Sequence, residues 1–312
     1  MSLSEKTQKW LADNAVGSWR GKTVLVTGAD SGVGFSTAEI AAFLGAKVIL
    51  ACRDPAKASA AKAALLKDYP GAAIGLMRID LASLASIRSF VRELSENGAD
   101  IDVFVNNAGV FRQPGKTTED GFDLVIGTNY IGAYYLTELL LPVLTALPHE
   151  VFYINTISLI HKAAAVKYDD FYCSRHYNDL AVYARSKLCL AKATYALAQR
   201  YKNSGLHICM NHPGITITPL ALHAVSGRAA GWALKLAPLF NAPEKSALSA
   251  AYILSRDVPA GSIVGPSRGF GGWGYPRENH VCRKVKSGAE ELIRFTDGEI
   301  RKALARGDKA DE

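Results

Sequence analysis

The sequence predicts an α/β fold in which helices cover both faces of one doubly wound parallel sheet. Two observations predict it. Short apolar, β-rich runs of about five residues alternate with helix-like stretches of about ten or more, the signature of βαβ units. The first run, Thr23-Val24-Leu25-Val26-Thr27, leads at once into a glycine-rich turn and an apolar helix through Leu44. Right-handed crossovers between such units give a Rossmann-type sheet with its ligands at the carboxyl ends of the strands.

The remaining elements follow in order. A second strand is expected at 47–51, then an Ala/Lys helix at 55–68 that starts on Pro55, where a missing N–H costs nothing. A third strand at 73–79, a helix at 83–96 and a fourth strand at 102–105 come next. A helix at 130–147, a strand at 151–155, a helix at 182–201 and a strand at 207–211 continue the alternation. Residues 219–259 read as a helical excursion that forms a substrate loop, and 265–276 as a glycine/aromatic loop. Residues 286–305 read as a mixed-charge helix ending in a frayed tail. No linker, repeat or low-complexity block divides the chain. Residues 1–20 are therefore read as an N-terminal extension, 21–285 as one dinucleotide-binding domain, and 286–312 as a C-terminal helix and tail.

With 312 residues, 49% hydrophobic and 21% charged, the chain has the ordinary globular balance and can bury a core without metal or disulfide. Its five cysteines lack any CxxC or zinc spacing, which favours free thiols in a reducing compartment and a cytoplasmic location. The charges Glu5, Lys6, Lys9 and Asp13 rule out a signal-peptide core at the N-terminus. The longest apolar runs, 130–147 and 229–240, are each broken by a charge and a proline, so no membrane anchor is expected. The net charge of +7 is spread along the chain, which reads as solvated surface and not as a nucleic-acid arm. A modest positive field also suits a ligand with several phosphates.

The turn after the first strand is Thr27-Gly28-Ala29-Asp30-Ser31-Gly32-Val33-Gly34, a GxxxGxG spacing. Glycines there let the backbone approach a pyrophosphate whose charge sits on the helix N-terminus. A structural turn is the plainer reading, but the strand–turn–helix context favours a nucleotide site. An NAD enzyme of this fold ends its second strand on an acid, and here Cys52 stands in that place. Arg53 follows, whose forked guanidinium pairs with a 2′-phosphate, so NADP(H) is the expected cofactor. Asp54 is read as the cap of the next helix and Lys57 as a surface lysine.

Tyr183-Ala184-Arg185-Ser186-Lys187 is a YxxxK pair, a pattern that roughly one chance match would supply; its position beside the fifth strand gives it weight. Four residues apart, the two side chains share a helical face. The ammonium and an oxidised nicotinamide would both favour phenolate, lowering a pKa from about 10 and making the tyrosine a usable acid/base. Ser158 follows the fifth strand, where its hydroxyl can bond the substrate oxygen. Asn129 heads the helix after the fourth strand and is placed to hold a water in a proton relay. Alone, each of these two reads as a helix cap; the set of four reads as catalytic.

On these motifs the chain resembles the short-chain dehydrogenase/reductases over roughly residues 20–260. Asp80-Leu81 after the third strand, Asn106-Asn107-Ala108-Gly109, and Pro213-Gly214-Ile215-Thr216-Ile217-Thr218 complete the match in order and spacing. The resemblance implies that Asn129, Ser158, Tyr183 and Lys187 are catalytic. It implies that Gly28, Asp30, Ser31, Val33 and Gly34 hold the pyrophosphate, with Asp80 and Leu81 near the adenine. Asn107, Ala108 and Gly109 would run along the adenosine side, and Tyr183 and Lys187 would meet the nicotinamide ribose. Pro213, Gly214 and Thr216 would hold the carboxamide, with Thr218 beside it.

Within that family, the chain is similar to the retinol dehydrogenase, WW-domain oxidoreductase and protochlorophyllide reductase group. The residues concerned are Ala51-Cys52-Arg53-Asp54, Gly127-Thr128-Asn129-Tyr130 and Ile154-Asn155-Thr156-Ile157-Ser158-Leu159-Ile160-His161. Ile157 departs from the group, standing where the first serine of a pair is usual, and the missing anchor counts against a membrane-delivered retinoid. Subunits of the family pair through the helices that follow Asn129 and Tyr183. The stretch containing Tyr168-Asp169-Asp170-Phe171 resembles the insertion covering that face in monomeric carbonyl reductases, so a monomer or a dimer built elsewhere is expected. Pocket walls are expected from 161–179, 220–240 and 265–275, where Trp232, Leu236, Phe240, Phe270 and Trp273 suggest a small apolar carbonyl or alcohol.

Rival readings fit less well. Gly265-Pro266-Ser267-Arg268-Gly269 matches a GxSxG elbow in letters, but further glycines follow it where a helix must start. Gly21-Lys22-Thr23 and Gly115-Lys116-Thr117 lack the partner glycine of a P-loop. His207 and His212 flank a strand without a third ligand, so no metal is expected. A non-catalytic NADP(H)-sensing protein of the same fold is the alternative, yet a sensor would be free to lose Tyr183 or Lys187.

Overall fold

A computed structural model describes residues 3–14, 17, 19–98, 100–216, 241–268 and 272–308. Its strands are β1 (Thr23–Thr27), β2 (Lys47–Cys52), β3 (Ile74–Arg78), β4 (Val103–Asn106), β5 (Val151–Thr156), β6 (Leu206–Asn211), β7 (Ile263–Arg268) and β8 (Trp273–Asn279). They form one eight-stranded sheet in the order β3-β2-β1-β4-β5-β6-β7-β8. Every neighbouring pair is parallel except β7 and β8. The chain reverses its direction of winding between β1 and β4, and a crevice opens there beyond the carboxyl ends.

Successive side chains feed opposite faces, as the period of a strand requires. Val24, Val26, Val48 and Leu50 join one core, with helices α2 (Gly32–Phe43) and α3 (Pro55–Asp68) over them. Leu25, Ile49, Phe104 and Tyr153 join the other, under α4 (Leu84–Glu96), α5 (Ala133–Thr145) and α6 (Asp179–Arg200). Burial on both faces is why the strands read as nearly continuous apolar runs. Helix α7 (Pro243–Ser255) completes the first face, within the stretch expected to be a helical excursion; residues 219–240 of that stretch lie outside the described residues.

Three features go beyond or against the expectations. Residues 265–276 hold the antiparallel β7–β8 hairpin instead of a loop. Gly265 there serves packing, since a Cβ on it would lie 2.2 Å from Nε2 of buried His212. Trp273, Tyr275 and Arg277 face outward on β8 while Gly274 and Pro276 face inward, so proline and charge blunt an edge strand. Secondly, the N-terminal extension contains a helix, α1 (Glu5–Asp13), capped by Ser4. A helix this short is marginal alone and depends on tertiary packing, here Trp10 stacked on Tyr275 with centroids 6.0 Å apart. Thirdly, the helix expected at 130–147 is preceded by a π-helical turn, Gly127–Gly132. The last helix, α8 (Ala289–Asp308), begins after Gly288, whose φ of +63° separates it from the short turn Arg283–Lys286. Among the described residues, no helix is long and apolar enough to cross a membrane.

Candidate active site

The β1–α2 turn is built for close approach. Gly28 holds φ at +63°, and a Cβ there would lie 2.9 Å from the Cα of Ala108. Thr27 Oγ1 accepts from the amides of Asn107 (2.9 Å) and Ala108 (3.0 Å), and Asn107 Nδ2 donates to the Thr27 carbonyl (3.0 Å). Gly34 lies behind the turn, where a Cβ would meet the Gly28 carbonyl at 2.3 Å. Ser31 makes no side-chain capping bond, whereas Asp54, Ser83 and Asn178 cap their helices. The first-turn N–H groups of α2 thus remain available to an anion.

A cleft of about 770 Å³ runs from this turn across the sheet edge. Gly28, Asp30, Ser31 and Val33 line it from the turn, Arg53 and Lys57 from beyond β2, and Asp80 and Leu81 from beyond β3. Asn107, Ala108 and Gly109 follow β4, Ser158 follows β5, and Pro213, Gly214 and Thr216 follow β6. Tyr183 and Lys187 reach it from α6. Gly34 and Asn129 support it from behind, and Thr218 lies outside the described residues. The uncapped helix, the glycine cradle and the size of the cleft fit a dinucleotide.

At the end of the cleft beyond β2 and β3, Asp54 Oδ1 accepts from the amides of Ala56 (2.9 Å) and Lys57 (3.2 Å), so this carboxylate caps α3 as expected. Asp80 Oδ1 accepts from the Ala82 amide at 2.9 Å. Cys52 is buried, and burial, reinforced by the charge of Asp30, pushes its thiol up to about 11.

At the inner end, Lys187 Nζ donates to the Thr156 carbonyl at 2.9 Å and lies 6.0 Å from the centre of the Tyr183 ring. Ser158 and Tyr183 line the same end of the cleft. The pKa of Tyr183 is pushed up to about 12, because burial outweighs the opposing pull of the Ser158 hydroxyl, and burial brings Lys187 down to about 8. The expected lowering of the phenol is therefore not a property of the chain by itself. Desolvation penalises both charged forms, and the ammonium is turned to a backbone carbonyl.

Asn129 is fully buried in the π-helical turn. Its Oδ1 accepts from the Val110 amide (2.7 Å), and its Nδ2 donates to the Val110 carbonyl (2.8 Å) and to Ser186 Oγ (3.3 Å). Both of its side-chain donors are spent on protein, so the side chain braces the loop after β4. Thr216 likewise turns inward, its hydroxyl donating to the Pro213 carbonyl (2.9 Å) and lying 2.6 Å from Ser246 Oγ. His212 Nδ1 accepts from the Gly214 amide (3.2 Å), and burial drives its pKa down to about 3. It is a neutral turn residue.

Of the expected walls, 220–240 and Phe270 lie outside the described residues, while 161–179 and Trp273 do not line the cleft. His161 faces away from the cleft with its Nδ1 2.6 Å from the Ser158 carbonyl, and Arg185 draws residues 165–171 onto α6 through the carbonyls of Ala165 and Phe171 (3.0 Å each). Among the described residues the apolar walls are Val110, Phe111, Leu159, Ile160, Leu180 and Ile215. Phe111 carried a usable signal, since it stands two residues beyond Gly109 at the ligand edge of the sheet.

Comparison with known proteins agrees with this geometry. Residues 22–228 match the family model described as short chain dehydrogenase. The chain is 38% identical over 239 residues to retinol dehydrogenase 13 of Homo sapiens, covering 75% of this chain and 72% of that one. A solved structure of a putative uncharacterized protein from Mycobacterium paratuberculosis is 30% identical, with a TM-score of 0.73 over 91% of this chain and 95% of that one. The 3-ketoacyl-(acyl-carrier-protein) reductase of Brucella melitensis, solved in complex with NADH, is 26% identical, with a TM-score of 0.59 over 79% and 96%. The chain belongs to the short-chain dehydrogenase/reductase family, oxidoreductases that work with a nicotinamide cofactor.

Proposed function

We propose that this protein is an NADP(H)-dependent oxidoreductase that interconverts a carbonyl and an alcohol, with Tyr183 as its acid/base. The observation that carries the reading is the convergence of Ser158, Tyr183 and Lys187 on the inner end of the cleft, braced from behind by Asn129. The bound nicotinamide would supply or accept the hydride. Ser158 and Tyr183 would both donate to the substrate oxygen, and charge developing on that oxygen is what their hydroxyls stabilise. The phenol proton passes to the oxygen in reduction and returns in oxidation. Lys187, beside the ring, steadies the phenolate left behind.

The charges of the cleft are divided. Asp30, Arg53, Asp54, Lys57 and Asp80 all follow β1, β2 or β3, on the adenosine half. Beyond β4, Lys187 is the charged residue among the described lining, and the remaining walls are largely apolar. That division supports an uncharged, apolar substrate. The human relative is named for retinol, which is of that kind. All five thiols are free, which supports work in the cytoplasm. Helix α8 lies along α5 and α6, and its cover supports a monomer or a dimer built elsewhere.

Arg53, at the rim of the adenosine end and free of a competing acid at Cys52, supports NADPH. A charge-assisted contact to phosphate is worth roughly 1.5–3 kcal/mol, about ten- to a hundredfold. The test is kcat/KM for NADPH and NADH against a panel of apolar aldehydes, ketones and quinones. NADPH is expected to be preferred by that range, with most of the preference lost in Arg53→Ala. Equal values for the two cofactors would end the assignment.

A further inference from the structure

Beside the catalytic group, the loop after β4 turns through Arg112, which holds φ at +55°. Among the described residues, Arg112 and Cys173 are the non-glycine residues with positive φ. Left-handed backbone strains an L residue and persists where the surroundings over-determine it, often at functional sites. Here the surroundings are specific. Phe111 sets its ring edge-on to that of Tyr183, with centroids 5.0 Å apart and planes at 89°. Arg112 Nε lies 3.3 Å from Asp179 Oδ2. Asp179 and Tyr183 are four residues apart on α6 and so share one face. Two consecutive loop residues therefore grip two positions one helical turn apart.

We propose that Phe111 and Arg112 form a clamp that fixes the angle of the Tyr183 phenol and gives the substrate a fixed wall. Both are positioning residues, and the proposal rests on the reading of Tyr183 as the acid/base. The ion pair is only partly buried, with side chains 41% and 29% exposed, and such a pair contributes little by itself. An edge-to-face ring contact holds more firmly. Phe111 therefore supplies the grip, and Arg112 supplies its direction. Phe111 and Leu180 both line the cleft, so the clamp also borders the apolar half where the substrate lies.

The groups around the phenol are Ser158 from the end of β5, Lys187 on α6, Phe111 from the loop, and the paired charges of Arg112 and Asp179 one turn away. Phe111 is uncharged. Its removal acts by admitting water to a phenol that burial holds up, so the titration of Tyr183 moves to lower pH.

The experiment uses the full chain with NADPH and two probes, decanal and benzaldehyde. A misplacement of about 1 Å can cost about a hundredfold in rate. Phe111→Ala is expected to lower kcat by about tenfold or more while the KM for NADPH stays within about twofold, and Phe111→Leu to recover part of the loss. Arg112→Ala should cost a few-fold, and Arg112→Lys, which keeps a cation for Asp179, should restore it. An ultraviolet difference titration against Tyr183→Phe needs no substrate and should give Tyr183 a lower pKa in Phe111→Ala. Unchanged kcat and an unchanged Tyr183 titration in Phe111→Ala would overturn the clamp, as would losses that merely track a falling Tm. In the same assay, a fully active Tyr183→Phe would remove the reading beneath it, whereas an inactive Tyr183→Phe beside unaffected clamp variants would remove the clamp alone.

Discussion

Burial acts on Tyr183 and Lys187 in opposite senses, lifting the phenol to about 12 and lowering the amine to about 8, so each approaches its neutral form. On the proposed reading the chain would hold a proton ready for a carbonyl oxygen, and the positive charge of an oxidised nicotinamide would favour the phenolate. The same effect reaches Glu39, buried on α2, whose pKa rises from 4.5 to about 7 through burial, reinforced by the carboxylates of Glu244 and Asp68. A carboxyl whose folded pKa is raised binds its proton more tightly in the folded chain. Its stabilising contribution is complete below pH 4.5 and is lost as pH rises to about 7. Glu39→Gln should therefore match the wild type near pH 5 and exceed it in Tm near pH 8, a difference that melting curves at the two values would read. An equal gain at both would leave the charge of Glu39 without effect. The residues of this region that the sequence could announce were those whose backbone position follows from a motif, such as Gly28, Tyr183 and Arg53. Phe111 could be placed at the ligand edge by its distance from Gly109, but its contact with Tyr183 and the turn at Arg112 were not legible, because an edge-on ring and a left-handed φ depend on where α6 lies in space.

Among the elements, the glycines of helical segments divide by what stands beside them. A Cβ on Gly132, at the end of the π-helical turn, would lie 2.0 Å from the Leu81 carbonyl, so the backbone of that turn packs directly on the loop after β3. Gly298 in α8 has nothing within 4 Å. Gly132→Ala should destabilise by about 1–3 kcal/mol through overpacking, while Gly298→Ala should stabilise by about 0.5–1 kcal/mol through helix propensity. Urea unfolding of the two variants gives the sign directly, and two stabilising results would contradict the close approach. The hairpin of β7 and β8 was the element hardest to foresee. Its glycines look like loop composition, and the His212 ring against Gly265 and the φ of +106° at Gly274 explain why the strands carry these two. The α/β alternation before it was legible because strands buried on both faces announce themselves by unbroken apolar runs.

Over the whole molecule, the last helix determines what the other helices can meet. Tyr130 bonds Thr296 (2.6 Å), Tyr134 donates to Asp297 (2.8 Å), and Arg200 donates to Glu290 (3.1 Å), so α8 occupies a face that α5 and α6 would otherwise present. Light scattering should give the mass of a monomer or a dimer, 33.5 kDa per chain, and a tetramer would count against that cover. The sequence marked α8 as a helix by its charge pattern but did not say where it would lie, since that placement rests on contacts made across more than a hundred residues. The central claim is chemical, that Tyr183 hands the proton to the substrate oxygen. It is tested most directly by following NADPH oxidation in Tyr183→Phe beside the wild type, with NADPH binding measured by fluorescence on the same samples. The account predicts that turnover falls by at least about a hundredfold while the Kd for NADPH stays within a few-fold. A Tyr183→Phe enzyme that keeps about a tenth or more of the wild-type kcat would contradict it.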